Sequence, residues 1–210
     1  MTRLHIEGVA HLERADPVLR EIVRRVGPMG LRAPRQVDAF SALARAIVFQ
    51  QLSGKAAETI HGRFAGLFDG RPTPERVLDA SEDRLRSAGL SRAKVLAVRD
   101  LAAATRDGRL VLPISRRLAD DAVIERLVSV RGIGPWTAQM FLIFQWGRPD
   151  VLPVADLGLR NAVRRAYGLR RDPSPERLAA IAKPWQPWRS VATWYLWRSL
   201  DVSGATDPTA

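Results

Sequence analysis

One stretch of the chain has residue types and spacing that suit phosphate binding. Leu127–Ala138 combines the apolar end of a helical pattern, a Gly132-Ile133-Gly134 turn and a second helix that opens with proline. Glycine at positions 132 and 134 permits backbone angles that other residues avoid, and it lets a ligand approach closely. The N–H groups at the start of the second helix can then bind a phosphate, with the helix dipole assisting. The alternative is an ordinary turn between two helices, because Gly-x-Gly alone is a weak signal.

An aspartate and a cluster of tryptophans follow this motif. Asp156 precedes an apolar helical pattern, where its side chain is expected to accept N–H bonds as the N-cap. A single tryptophan usually belongs to the core, although an exposed indole face can also bind a cation. Both features therefore admit a structural and a functional interpretation. Four of the six tryptophans lie close together near the C-terminus, at Trp185, Trp188, Trp194 and Trp197.

Composition limits the partners that the chain can bind. Lys and Arg number 33 against 22 Asp and Glu, which gives a net charge of +11 and a field that attracts polyanions such as nucleic acid. The absence of cysteine excludes disulfides, thiolate zinc sites and cysteine-ligated iron–sulfur clusters. No run approaches the roughly 20 apolar residues of a membrane span. We expect a cytoplasmic protein without an export signal.

The elements that must position these residues are helices. Apolar residues recur at helical spacing nearly throughout, as in Leu19, Ile22 and Val23, whereas strand-like alternation is scarce. We therefore predict an all-α fold of two packed helical lobes with a cleft between them. Capping residues stand before several predicted helices, at Asp16, Thr73, Ser81, Ser91 and Ser174.

Together these residues resemble the helix-hairpin-helix, Gly/Pro-rich loop, aspartate (HhH-GPD) superfamily of DNA glycosylases. Within it they are similar to the 3-methyladenine DNA glycosylase II, or AlkA-like, branch in its compact form without an N-terminal sheet domain. The resemblance runs from Leu12 to Ser190 and includes the segments Phe49–Ala57 (FQQLSGKAA) and Gly89–Lys94. It implies that the cleft binds DNA and a base turned out of the duplex.

The resemblance implies that Asp156 is the catalytic aspartate. Breaking an N-glycosidic bond leaves positive charge on the sugar, which a nearby carboxylate stabilises. Whether Asp156 also deprotonates the attacking water stays open. Ala155 stands where some members have a second aspartate, so one carboxylate must suffice. Trp136 stands where bifunctional members have the lysine that forms a Schiff base, so the reaction should stop at an abasic site.

The resemblance also implies an aromatic base pocket. Alkylated purines carry a positive charge that aromatic faces attract. Trp185 and Trp188 are expected in the core instead. The pocket residues are Trp136 and Trp197, with Met140 and Arg198 at two positions where the family has aromatic residues.

Gln51 corresponds to the wedge that fills the gap left by an extruded base, although a plain turn between two core helices is the alternative. Lys55 and Lys94 are candidate phosphate contacts that could equally be inert surface charges. Family hairpins often hold a sodium or potassium ion, here through the backbone carbonyls of Val128, Val130 and Ile133, and no other cofactor is expected. The full set expected to contact DNA is Gln51, Ser53, Lys55, Lys94, Gly132, Ile133, Gly134 and Thr137.

The activity implied is that of a monofunctional base excision repair glycosylase. It would act as a monomer on double-stranded DNA that contains 3-methyladenine or 7-methylguanine. Two alternatives stay open: a glycosylase of this fold for ethenoadenine, hypoxanthine or uracil, and a non-catalytic DNA-binding protein. We expect one domain over residues 1–204, with a lobe from about 38–115, a second lobe from about 1–37 and 116–203, the hairpin at 127–138 and a frayed tail at 205–210.

Overall fold

The computed structural model describes residues 3–30, 38–52 and 54–203 of the chain. Within these ranges the fold is all-α, as predicted, with no β-strand. None of the helices described there is long and apolar enough to span a membrane. The helices are α1 (Arg3–Ala15), α2 (Pro17–Val26), α3 (Ala39–Phe49), α4 (Gly54–Gly66), α5 (Pro74–Asp79), α6 (Glu82–Ser87), α7 (Arg92–Arg106), α8 (Asp120–Val128), α9 (Pro135–Phe144), α10 (Leu157–Ala166), α11 (Pro175–Ile181), a 3₁₀-turn (Lys183–Trp185) and α12 (Arg189–Ser203).

The predicted N-caps are confirmed. Each capping side chain accepts a backbone N–H bond from the first turn of its helix, and such a cap is worth about 0.5–2 kcal/mol because it satisfies a donor that has no acceptor within the helix. Proline at the first position of α2, α5 and α11 presets the helical φ angle. Helix starts are therefore determined locally. The capping residues are Asp16, Thr73, Ser81, Ser91 and Ser174.

The chain divides into two compact units, one formed by Met1–Arg35 with Gly147–Ala210 and the other by Gln36–Trp146. The first boundary lies close to the predicted one. The second boundary differs from the predicted one. Residues 116–146 are predicted to join the lobe that contains both chain ends, but they belong to the unit Gln36–Trp146. The reason is packing, since α9 contacts both α8 and α3. The hairpin thus shares a unit with α3 and α7.

In the unit formed by the two chain ends, α2 and α10 both pack against α12. The apolar face expected of α2 is buried through Leu19, Ile22 and Val23. The α10 helix contributes Leu159 and Val163. Each such side chain contributes about 1.5–3 kcal/mol on burial. Helix α12 is therefore the framework that fixes α10, the helix that Asp156 precedes.

In the unit Gln36–Trp146, α3 is the central helix and contacts α4, α7 and α9. Its side chains Leu43, Ala44, Ile47 and Val48 have no exposed surface. This continuous apolar sequence suits a helix that is surrounded on several sides. The segment that follows α3 and the turn that precedes α9 consequently rest on the same framework.

A buried carboxylate, Asp16, joins three parts of the first unit. Its Oδ1 accepts the N–H groups of Val18 and Leu19 at 2.9 and 3.2 Å. Its Oδ2 accepts the Tyr167 hydroxyl at 2.5 Å and the Trp185 indole N–H at 2.9 Å. Burial, then the hydrogen bond and the charge of Asp16, raise the pKa of Tyr167 above the ordinary 10.0. Trp185 is fully buried here, which confirms its predicted place in the core.

We expect Tyr167→Phe to make stability less sensitive to alkaline pH. Because the folded-state pKa of Tyr167 is raised, its contribution to the free energy of unfolding is fully present below the ordinary tyrosine pKa and is lost as pH rises above it. Urea unfolding at about pH 8 and about pH 11 should show a larger loss for the wild type than for the variant. Tyr195 is present in both proteins and contributes equally. Identical losses would contradict this linkage.

Candidate functional site

Asp156 is the N-cap of α10, as predicted. Its Oδ1 accepts the Leu159 N–H at 2.6 Å and the Trp197 Nε1–H at 2.9 Å. The two donors come from α10 and α12 and reach the same oxygen, so they fix the orientation of the carboxylate. Asp156 is partly exposed. The chain therefore presents an oriented carboxylate at a helix start.

Trp197 was predicted to line the base pocket, but its hydrogen bond to Asp156 was not predicted. Gly158 packs closely against both side chains. An added Cβ on Gly158 would lie 3.2 Å from the Asp156 Oδ1 and 3.5 Å from the Trp197 indole. The glycine two residues after the aspartate is the sequence feature that could have indicated this packing.

The segment before Asp156 is fastened to the start of α12. The Arg189 guanidinium binds the Asp150 carboxylate through two bonds of 2.7 and 2.9 Å. The Ser190 hydroxyl accepts the Val151 N–H at 2.9 Å. A bidentate pair of this kind fixes geometry as well as attracting charge. None of these positioning residues was predicted, since their partners are distant in the sequence.

Arg198 was also predicted to line the pocket. Its guanidinium pairs with Asp201 at 2.9 Å and lies 5.7 Å from the centre of the Trp194 ring. These contacts lie within α12, and the Arg198 side chain is exposed. The structure gives Arg198 a surface ion pair, and its place in a base pocket stays a prediction.

The predicted helix-hairpin-helix is present, with α8 and α9 joined by the Gly132-Ile133-Gly134 turn. Gly132 has φ +79°, and an added Cβ would lie 2.6 Å from the Ala97 Cβ. The turn therefore requires glycine there for both conformation and space. Gly134 does not use the conformational freedom that glycine permits, because its φ is −88°. An added Cβ at Gly134 would meet open space, so its small size keeps the start of α9 accessible.

The start of α9 offers backbone N–H groups to a ligand. First-turn N–H groups have no acceptor within a helix, and Pro135 has no N–H, so Thr137 supplies a candidate donor. The Ile133 side chain is buried and its N–H donates to the Val130 carbonyl at 3.1 Å, and its contact with DNA stays a prediction. The Thr137 side chain is buried as well. Its backbone N–H is what remains as a candidate phosphate donor.

The predicted cation would bind the backbone carbonyls of Val128, Val130 and Ile133. A carbonyl oxygen has two lone pairs, so the bond from the Ile133 N–H does not prevent Val130 from binding a cation. The cation stays a prediction. Among the residues that the structure describes, no group of His, Asp and Glu side chains resembles a metal site.

Trp136 and Met140 lie one turn apart on α9 and so share a helix face. The Trp136 residue is 37% exposed, and Met140 is partly buried. Their role in a base pocket stays a prediction. Trp136 does present an aromatic surface beside the hairpin N–H groups.

Gln51 follows the end of α3 and is exposed. Its φ of +55° lies in the left-handed region, which costs a non-glycine residue roughly 1–2 kcal/mol. Such conformations persist where neighbouring contacts hold them, and they are frequent at functional sites. A plain turn between helices can hold such an angle as well, since the exposed Asp69 between α4 and α5 has the same φ of +55°. The wedge role stays a prediction, and Ser53 lies outside the described residues.

The two predicted phosphate-binding lysines differ. Lys55 is exposed in the first turn of α4, and its contact with phosphate stays a prediction. The Lys94 Nζ donates to the Val48 carbonyl at 2.6 Å, and burial lowers the pKa of Lys94. Lys94 therefore stabilises the C-terminal end of α3, a role that was not predicted. An ammonium group has three N–H bonds, so a phosphate contact for Lys94 also stays a prediction.

Comparison with known proteins identifies the class. Residues 44–187 match the HhH-GPD superfamily of base excision DNA repair proteins. The matched region contains the hairpin, Gln51 and Asp156. The chain belongs to this superfamily.

Particular members place it further within the class. DNA-3-methyladenine glycosylase 1 of Schizosaccharomyces pombe is 33% identical over 94% of this chain and 89% of its own length. A solved structure of the 3-methyladenine DNA glycosylase of that organism, in complex with abasic DNA, has a TM-score of 0.81 at 34% identity and covers 91% of this chain and 95% of its own. DNA-3-methyladenine glycosylase 2 of Escherichia coli is 31% identical over 80% of this chain and 60% of its own length. The resemblance to 3-methyladenine DNA glycosylases is confirmed.

Proposed function

We propose that the protein is a monofunctional DNA glycosylase that hydrolyses the N-glycosidic bond of alkylated purines in double-stranded DNA. The observation that carries the proposal is the oriented carboxylate of Asp156, held through one oxygen by the Leu159 N–H and the Trp197 Nε1–H. The names of its relatives support 3-methyladenine as a base that it removes. The base 7-methylguanine carries the same positive charge in DNA and belongs to the proposed range.

The Asp156 carboxylate acts on the sugar. As the bond between C1′ and the base nitrogen breaks, its electron pair leaves with the base and positive charge develops on the sugar. A carboxylate that is already oriented stabilises this charge without reorganising. Water then adds to C1′, and its proton passes to the carboxylate or to solvent. The products are the free base and an abasic site.

Trp136 suits the recognition of a cationic base. Its partly exposed indole lies at the start of α9. Alkylation of N3 or N7 gives a purine a positive charge, and an aromatic face attracts such a charge by about 0.5–2 kcal/mol. An indole has no amine that could form a Schiff base with the sugar, so base release is not followed by strand cleavage.

Binding to duplex DNA is proposed to rest on the phosphate backbone. The first-turn N–H groups of α9 and the net charge of +11 both favour phosphates. Such contacts position the protein without reading sequence, and they weaken with salt. The complex of the Schizosaccharomyces pombe relative with abasic DNA supports this partner.

Repulsion between two copies that each carry +11 favours a monomer.

We expect the purified protein to release 3-methyladenine or 7-methylguanine from methylated duplex DNA. The strands should stay intact until alkali or an abasic endonuclease is added, because Trp136 cannot form an imine. Chromatography of the released bases measures the first step. Denaturing electrophoresis before and after alkali measures the second.

Each other outcome would indicate a different activity for this protein. Strand breaks without alkali would contradict the monofunctional assignment. Release of ethenoadenine, hypoxanthine or uracil alone would change the substrate but keep the reaction. DNA binding without release of any base would support the non-catalytic DNA-binding protein.

A further inference from the structure

A single side chain, Gln50, connects the end of α3 with the hairpin. Its Nε2 donates to the Gly132 carbonyl at 2.7 Å and to the Thr137 Oγ1 at 2.9 Å. These partners are 82 and 87 residues away in the sequence. One acceptor lies in the glycine turn and the other in the first turn of α9. Both N–H bonds of the Gln50 amide therefore act on the element that is proposed to bind phosphate.

The α7 helix supports both sides of this connection. Lys94 binds a carbonyl in the last turn of α3, and Asp100 accepts the Arg131 N–H at 2.7 Å. Between them Ala97 lies against Gly132 so closely that an added Cβ would approach within 2.6 Å. The spacing of three residues places Lys94, Ala97 and Asp100 on one helix face. That face fixes the end of α3 and the hairpin turn relative to each other.

We propose that Gln50 is a positioning residue that holds Gln51 in register with the phosphate-binding hairpin. Gln51 directly follows Gln50, and its φ of +55° needs neighbouring contacts to hold it. The two hydrogen bonds of the Gln50 side chain supply such contacts immediately before the strained residue. The inference rests on the proposed function, because only a protein that extrudes a base needs a wedge.

The consequence is that phosphate binding and wedge insertion are coupled. When the start of α9 binds a phosphate, Gln50 fixes the position of Gln51 relative to that phosphate. Without these two bonds the hairpin N–H groups can still bind an intact duplex. The wedge would then lose its fixed position, so the defect should appear with DNA that has a gap in its base stack.

Two variants test this role. Gln50→Leu keeps a similar volume and removes both donors, whereas Gln50→Glu keeps the length and places a carboxylate against the Gly132 carbonyl. The probes are an intact duplex and the same duplex with a tetrahydrofuran abasic analogue. For both variants we expect affinity for the intact duplex to stay within about twofold and affinity for the abasic analogue to fall about tenfold, as the loss of two hydrogen bonds predicts.

A double-mutant cycle separates positioning from a merely structural role. Gln51→Ala should itself weaken the abasic complex. If Gln50 acts through Gln51, adding Gln50→Leu to that variant should weaken the abasic complex by less than about twofold. Gln186→Leu makes the same change at an exposed position in the other unit and should leave both affinities unchanged.

Three results would overturn the inference: an unchanged preference for abasic DNA in both Gln50 variants, equal losses with intact and abasic DNA, or additive losses in the cycle. The proposed function fails in a different way. If the wild type releases no base from any lesion, the glycosylase assignment falls whatever the Gln50 variants do. The two failures are therefore distinguishable.

Discussion

Asp156→Asn is expected to lower the rate of base release by about 100-fold or more while the variant still binds abasic DNA. Asparagine has nearly the same size and can still accept the N–H groups of Leu159 and Trp197 that hold Asp156. It lacks the negative charge that stabilises the sugar as the base leaves. Single-turnover release from methylated duplex measures the chemical step, and titration with an abasic analogue measures binding.

Trp197→Phe is the matched control for this prediction. It keeps an aromatic ring and removes the N–H that donates to Asp156 at 2.9 Å. The expected loss is about tenfold, because a hydrogen bond to a charged group orients the carboxylate but does not supply its charge. Full activity in Asp156→Asn would remove the proposed catalytic centre. Full activity in Trp197→Phe would show that this bond is not needed for orientation.

Asp16→Ala is expected to lower the free energy of unfolding by about 3 kcal/mol or more. The substitution removes an N-cap and the acceptor of the Tyr167 hydroxyl and the Trp185 indole N–H, both of which are largely buried. Each buried donor left without an acceptor carries its own desolvation cost. Urea unfolding at neutral pH measures the difference.

Asp38→Ala is the control for the stability prediction. Asp38 also caps a helix, since its Oδ1 accepts the Ser41 N–H at 2.9 Å, but it is exposed. Loss of this cap should cost about 1 kcal/mol. Equal losses at Asp16 and Asp38 would mean that the buried contacts of Asp16 add nothing beyond its cap.

Much of the local structure could be predicted from neighbouring residues. Asp16 and Asp156 cap their helices as expected, because capping joins a side chain to backbone N–H groups two or three residues away. Gly132 adopts a positive φ of the kind that glycine permits. Gly134 has a φ of −88°, because a glycine permits a left-handed angle without requiring one.

The contacts that position the candidate site could not be predicted in this way. The Trp197 bond to Asp156 spans 41 residues of sequence, and the Gln50 bond to Gly132 spans 82. Lys94 resembled a surface phosphate contact but binds the end of α3. The sequence does not show whether a polar side chain of this kind faces solvent or a neighbouring helix.

The sequence by itself determined the helical fold, the helix starts and the hairpin, which follow from periodicity, capping and residue chemistry that act within a few residues. The choice of Asp156 as the candidate catalytic carboxylate came from the resemblance of the sequence to the glycosylase superfamily. The tertiary structure alone decided that the hairpin belongs with α3 and α7, that the Trp197 indole donates to Asp156 and that the Gln50 side chain binds the hairpin. The physical reason is that burial and long-range hydrogen bonds depend on which helices pack together. Local sequence patterns do not show that packing, which is seen only in the folded structure.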